Sequence, residues 1–252
     1  MTLLLNESVR MSKEKHWSEL SKNPISEAAR SLVSNALRKK DAGSMHDLTA
    51  FWEKSLTGKT LLDIGVVEHS MEFTTRPGWR HGVFAKLASR AVGVDILVEE
   101  VKELNKLGYD VRVCDATSDA DLKERFDVVY IGDVIEHVND PVALLKFAGR
   151  HARPNGKIIV STPSPFWWRS IQEMISRNTY IGNVDHVRWV TPVNALEIAH
   201  RAGVSLECYY TVETEGNNLI RKYTMRAIRR LLGRTELFTW AYVYVFAHGV
   251  ES

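Results

Sequence analysis

A chain of 252 residues, 44% hydrophobic and 25% charged, can bury one sizeable core, and its composition excludes a fibrous or disordered protein. A formal net charge of +2 gives no general affinity for nucleic acid, so no nucleic-acid partner is expected and any electrostatic partner must come from a local cluster. Cys114 and Cys208 are the only cysteines, which excludes a disulfide framework or a cysteine zinc site and fits a reducing cytoplasm.

The opening Met1-Thr-Leu-Leu-Leu-Asn6 is too short for a signal-peptide core. From Ser12 to about Leu56 apolar residues recur at helical spacing, at Ala28, Leu32, Val33 and Leu37 and again at Leu48, Phe51 and Trp52. Asp41-Ala-Gly43-Ser44 breaks this pattern, and Ser44 or Asp47 can cap the second helix. Residues 1–56 are therefore expected to form an N-terminal helical cap, with the main domain over 57–252. Thr60 to Ile64 is an apolar run closed by Gly65, the pattern of a buried strand turning sharply, with Asp63 at its carboxyl end. Arg76-Pro77-Gly78 marks a loop, Trp79 to Arg90 a helix and Ala91 to Asp95 a second strand.

Val98, Val101, Leu104 and Leu107 form a helical stripe stopped by Gly108, before a strand at Asp110 to Cys114 with Asp115 after it. Phe126 to Ile131 is a strand, Asp140-Pro141 opens a helix to about His151, and Gly156 to Ser161 is another strand. This alternation predicts an α/β fold with a mostly parallel, doubly wound sheet and right-handed crossovers. Residues 163–190 are irregular and aromatic, with Phe166, Trp167, Trp168, Tyr180 and Trp189, and read as a lid-like insertion or as core. A helix at Pro192 to Ala202 and strands at Val204 to Val212 and Phe238 to Phe246 complete the chain. The apolar run Leu237 to Ala247 is too short to span a bilayer as a helix, so a soluble protein is expected. Between the last strands, residues 213–236 form a basic connector that places Lys222, Arg226, Arg229 and Arg230 on one helical face. That face suits an anionic membrane, a lipid-linked substrate or plain solvent.

Asp63, Asp95 and Asp115 stand at successive strand ends. A carboxylate after the second strand can accept both hydroxyl protons of a ribose, which points to a nucleoside-containing cofactor; each acid can alternatively cap the next helix. A dinucleotide oxidoreductase wants a glycine-rich turn for a pyrophosphate, and Val66 and Val67 fill that turn.

The series Leu61-Leu-Asp63-Ile-Gly65, Val92-Gly-Val-Asp95, Cys114-Asp115-Ala116, Phe126-Asp-Val-Val-Tyr-Ile-Gly132-Asp133-Val-Ile-Glu136-His137-Val138 and Arg153-Pro-Asn-Gly156 resembles the class I S-adenosylmethionine-dependent methyltransferases. The resemblance covers roughly Leu56 to Pro163. Its most specific piece, Asp133 to Val138, together with Asp185-His186-Val187-Arg188-Trp189-Val-Thr-Pro192, is similar to the branch containing ubiquinone-biosynthesis and glycan-modifying enzymes. It implies a Rossmann-like sheet of seven strands whose late strands form an antiparallel pair. It also implies S-adenosyl-L-methionine as cofactor, with Gly65 against its methionine part and Asp63 holding the turn or meeting its amino group. Asp95 with Ile96 would take the ribose, Asp115 with Ala116 the adenine, and Gly132 and Asp133 the methionine end.

The sequence departs from the family after Gly65, where Val66-Val67-Glu68-His69 replaces further glycines and Glu68 to Gly78 reads as an insertion. Valine disfavours positive φ, so the family's turn is not copied unchanged; the expectation is either that the loop wraps the cofactor differently, with Glu68 or His69 contributing, or that it weakens cofactor binding. For an oxygen acceptor a histidine is a suitable proton acceptor; His186 is the first candidate, then His137 and His69. No ligand set has metal-binding spacing in the sequence, so no metal is expected. The expected reaction is O-methylation of a small-molecule or glycan acceptor, a carbohydrate precursor first. An isoprenoid or natural-product hydroxyl is the alternative, and a cofactor-binding module without turnover a third reading.

Overall fold

The computed structural model describes residues 16–20, 22–213, 223, 227 and 236–248. The stretch Met1 to Asn6 and the basic residues Lys222, Arg226, Arg229 and Arg230 lie outside the described residues. The chain divides into two compact units, Met1–Lys39 and Lys40–Ser252. The first holds α1 (Trp17–Leu20) and most of α2 (Glu27–Lys40). Ser26 caps α2, its Oγ accepting from the Ala29 amide at 3.2 Å. The boundary thus falls before Lys40 rather than after Leu56, because residues 41–56 join the second unit.

That unit is built on one eight-stranded sheet, one strand more than expected. The strands are β1 (Asp41–Met45), β2 (Thr60–Ile64), β3 (Arg90–Asp95), β4 (Val111–Val113), β5 (Phe126–Gly132), β6 (Ala152–Pro163), β7 (Val204–Glu213) and β8 (Thr239–His248). Their order is β1-β7-β8-β6-β5-β2-β3-β4, and only β8 runs antiparallel to its neighbours, β6 and β7. The extra strand is the stretch read as a helix break. It pairs in parallel with β7, and Ser44 bonds Thr211 Oγ1 at 3.0 Å and Glu213 Oε1 at 2.9 Å. Ser44 is therefore no helix cap. Asp47 instead accepts from the Thr49 amide at 2.7 Å, at the start of α3 (Thr49–Leu56).

The central strands are continuous apolar runs because helices cover both faces. Leu62, Val92, Val94, Val129, Ile131, Ile158 and Val160 sit in one core cluster, with Leu144, Leu145 and Phe147 of α7 (Pro141–His151). Leu61, Val128, Tyr130 and Ile159 face the opposite side, against Leu56, Trp52 and Phe84 of α5 (Arg80–Leu87). Each such aliphatic side chain removed from water contributes about 1.5 to 3 kcal/mol. Helix starts follow the expected signals. Asp140 accepts from the Ala143 amide with Pro141 in the first turn, and Thr191 with Asn194 forms a capping box for α9 (Pro192–Ala202). α6 (Val98–Lys106) packs Val101 and Leu104 inward. Within the aromatic stretch lies α8 (Trp168–Arg177). Among the described residues no helix is long and apolar enough to cross a membrane.

Candidate active site

Strand order decides where the site lies. β2 pairs on one side with β3 and on the other with β5, so the strand order reverses direction at β2 and a crevice opens at the carboxyl ends of β2 and β5. Asp63, Asp95, Gly132 and Asp133 all stand there.

The turn after β2 settles what the valines do. Gly65 takes φ +81°, and a Cβ on it would lie 2.3 Å from Val134 Cγ2, so this position demands glycine. Val66 and Val67 then turn inward and are buried with Trp79, Val101 and Leu104. Positive φ is displaced to Glu68 (+53°) and His69 (+78°). The turn is fixed from three sides. Gly65 N donates to Val94 O at 2.9 Å, Trp79 Nε1 to Val66 O at 2.8 Å, and Val67 N to Asp95 Oδ2 at 3.0 Å. The residues after it continue into the short α4 (Met71–Thr74).

Asp63 is buried, and its Oδ2 lies 2.8 Å from His81 Nδ1. Asp95 accepts from Leu97 N at 3.1 Å as well as from Val67, while Ile96 beside it is exposed. Cys114 N donates to Asp95 O, which brings the residues after β4 beside the end of β3. There Asp115 is exposed and accepts from Thr117 N and Oγ1, and Ala116 is in the core. Asp133 has φ +54° and its amide donates to Ser161 O.

Arg80 was not legible as a site residue. Its guanidinium donates to Tyr130 Oη at 2.7 Å and to Asp133 Oδ2 at 3.0 Å, and lies 3.6 Å from Glu68. Burial would lower its pKa, but Tyr130, Asp133, Glu68 and Asp63 around it hold the pKa above its ordinary value. Arg80 thereby links the altered loop to the end of β5.

Five further titratable side chains, Glu136, His137, His186, Asp185 and His69, gather at the same end of the sheet. Glu136 is buried; its Oε2 accepts from Thr162 Oγ1 at 3.0 Å, while Oε1 has no hydrogen-bond partner. Burial, and next the nearby Asp133, push its pKa up to about 8. The Glu136 carbonyl accepts from Val187 N, which holds residues 185–187 over the end of β5. His186 packs edge-on against His137 at 4.7 Å and Trp189 at 5.6 Å, and its buried Nδ1 has no partner. Burial first, then His137, lowers the His186 pKa, so its imidazole is neutral near pH 7. Asp185 turns away from its neighbour toward His137 Nδ1 at 3.2 Å and His69 Nδ1 at 3.8 Å. Two sets of ligand atoms lie within 4.8 Å of one another: His69, His137 and Asp185, and Glu136, His137 and His186. In the aromatic stretch, Arg169 stands 5.0 Å over Trp167 and 5.6 Å over Trp168, with both indoles half-buried.

Residues 37–209 match the model of a methyltransferase domain. Curated relatives include a ubiquinone biosynthesis O-methyltransferase of Cereibacter sphaeroides, 30% identical over 131 residues that cover 48% of this chain and 53% of that protein. One from Aeromonas salmonicida is 26% identical over 165 residues, covering 59% and 64%. The chain thus spans little more than half the length of the curated relatives it matches. Among solved structures, a SAM-dependent methyltransferase from Archaeoglobus fulgidus has a TM-score of 0.55 at 18% identity, over 79% of this chain and 90% of that one. An S-adenosylmethionine-dependent methyltransferase from Mesorhizobium loti has a TM-score of 0.50 at 15% identity, over 77% and 92%. These likenesses establish the fold. With the matched region covering well over half its length, the chain belongs to the methyltransferase-domain family, within the class I S-adenosylmethionine-dependent group.

Proposed function

We propose that the chain transfers a methyl group from S-adenosylmethionine to a hydroxyl oxygen of a small acceptor held beside His186. The observation that carries this reading is the crevice between β2 and β5, where a carboxylate-rich donor set meets a neutral histidine with an unpartnered buried nitrogen. When bound, S-adenosylmethionine supplies an electrophilic methyl on a cationic sulfonium. The residues present suit that group, since carboxylates favour a sulfonium, an ammonium and ribose hydroxyls.

Asp95 accepts the ribose hydroxyls while still holding Val67 N, and Asp115 meets the adenine edge. Asp133, Glu68 and the backbone at Gly65 and Gly132 line the methionine end. Arg80, already paired with Asp133 and Glu68, is placed for a carboxylate. His186 would take the proton that leaves the acceptor hydroxyl as its oxygen forms the new C–O bond and the methyl–sulfur bond breaks, with S-adenosylhomocysteine as the leaving group. Positioning the oxygen in line with the methyl supplies much of the remaining rate.

Two acceptor classes are kept. The likeness to ubiquinone biosynthesis O-methyltransferases favours an isoprenoid or natural-product hydroxyl, whereas the half-buried indoles of Trp167 and Trp168 favour a carbohydrate or glycan hydroxyl. The anionic-membrane contact through Lys222, Arg226, Arg229 and Arg230 rests on sequence spacing alone. A cytoplasmic setting fits the two free cysteines. The test is release of S-adenosylhomocysteine with methylated product, using sugar and isoprenoid-ring acceptors. His186→Ala is expected to keep cofactor affinity and lose roughly 10² to 10⁴ in turnover, the usual contribution of a positioned base. Near-normal turnover by that variant removes the base role. Cofactor binding with no turnover on either acceptor class favours the non-catalytic module.

A further inference from the structure

We propose that His69, His137 and Asp185 bind one divalent transition-metal ion of the zinc, cobalt or manganese class. The three residues come from separate segments: the altered turn after β2, the loop after β5 and the loop before α9. Their ligand atoms nevertheless lie within 4.8 Å of one another. Asp185 Oδ2 stands 3.2 Å from His137 Nδ1 and 3.8 Å from His69 Nδ1. Two ligands on a tetrahedral ion, each about 2.1 Å from it, are about 3.4 Å apart, so these separations straddle what an ion requires. The three residues are far apart in the chain and are brought together only by the loops at the strand ends of the sheet.

The backbone supports the same reading. Glu68 and His69 both adopt positive φ without being glycine, a conformation that costs about 1 to 2 kcal/mol per residue and persists only where its surroundings enforce it. Here Val66 O on Trp79 and Val67 N on Asp95 fix the turn, so His69, though its side chain stays accessible to solvent, emerges beside Asp185. Unsatisfied polar atoms lie at the same corner. Glu136 Oε1 and His186 Nδ1 are buried without partners, and both residues join His137 in a second overlapping set. Two imidazoles and one carboxylate select a borderline ion over magnesium or calcium, which prefer all-oxygen shells. Three protein ligands leave a position open for water or an acceptor oxygen. Only a role in the reaction rests on the methyltransferase reading; binding of the ion does not.

The test is a titration of chelator-stripped full-length chain with Zn²⁺ by calorimetry and with Co²⁺ by visible absorption. One equivalent is expected, with Co²⁺ bands of a histidine-containing, low-coordinate site. His69→Ala and Asp185→Asn should each weaken binding at least tenfold, while His46→Ala, at an exposed histidine elsewhere, should not. His69 and Asp185 are 59% and 49% exposed, so both variants are expected to fold, which circular dichroism checks. If either misfolds, His69→Gln and Asp185→Ala take their place under the same criterion. Absence of stoichiometric binding to wild type, or unchanged affinity in the folded His69 and Asp185 variants, overturns the site. A chain that methylates without binding the ion defeats this proposal alone. One that binds the ion but never turns over S-adenosylmethionine defeats only the proposed activity.

Discussion

Gly65 shows how one residue fixes the geometry of the whole site. A side chain there would meet both a positive φ of +81° and Val134 Cγ2 at 2.3 Å. Gly65→Ala should therefore destabilise the fold by roughly 2 to 5 kcal/mol, the sum of left-handed strain and overpacking. Denaturant unfolding measures this, and a loss below 1 kcal/mol would mean that the turn relaxes freely. Arg80 has a different role at this scale. Arg80→Met removes the charge that holds Glu68 and Asp133, and cofactor affinity should drop by about 1 to 3 kcal/mol, the scale of charge-assisted hydrogen bonds. Equal affinity of the folded variant would exclude Arg80 from the site. The Gly65 signal was legible because a glycine closing an apolar strand is a local pattern. Arg80 was not, because its partners at 68, 130 and 133 are assembled only by the sheet.

At the scale of elements, the edge formed by β3 and β4 is tied by Glu124, which accepts from Arg90 and Arg112. Those two hydrogen bonds are the main cause holding its pKa down, from an ordinary 4.5 to about 2. A carboxylate depressed in the folded state stabilises fully above its unfolded pKa, and that contribution is lost as pH falls through the folded value. Between about pH 4.5 and 2, wild-type stability should therefore fall more steeply than that of Glu124→Gln. Parallel acid titrations of the two would leave Glu124 without such a role. Both Arg90 and Arg112 are partly exposed, so the effect is expected to shrink in salt. The elements themselves were largely legible. β2, β3 and β5 are apolar runs bounded by turn residues, and Asp140-Pro141 marks the start of α7 to the residue. β1 escaped because Asp-Ala-Gly-Ser-Met has no strand signal of its own; its conformation is conferred by the edge of β7. β6 extends from Ala152, earlier than Gly156, because Phe126 of β5 pairs with Ala152 across a register shift.

For the whole molecule, the order β6-β5-β2-β3 makes one end of the sheet chemically rich, and alternation of strands and helices in the sequence was enough to predict that end. The histidine and carboxylate cluster was only half legible. His69 and His137 were visible as candidates and Asp185 was not, because the meeting of residues 69, 137 and 185 depends on three loops converging at one crevice. If the basic residues from Lys222 to Arg230 bind an anionic surface, co-sedimentation with anionic vesicles should fall sharply as salt rises, since the attraction is screened within about 8 Å at physiological ionic strength. Equal indifference of wild type and a charge-neutralised variant would leave that stretch a connector. The most direct measurement is calorimetric titration of S-adenosylmethionine into wild type and Asp95→Ala. One site per chain is predicted in wild type, weakened by about 1 to 3 kcal/mol in the variant through loss of the ribose hydrogen bonds. No binding to wild type, or unchanged affinity in a folded Asp95→Ala chain, would contradict the cofactor site at the ends of β2 and β3.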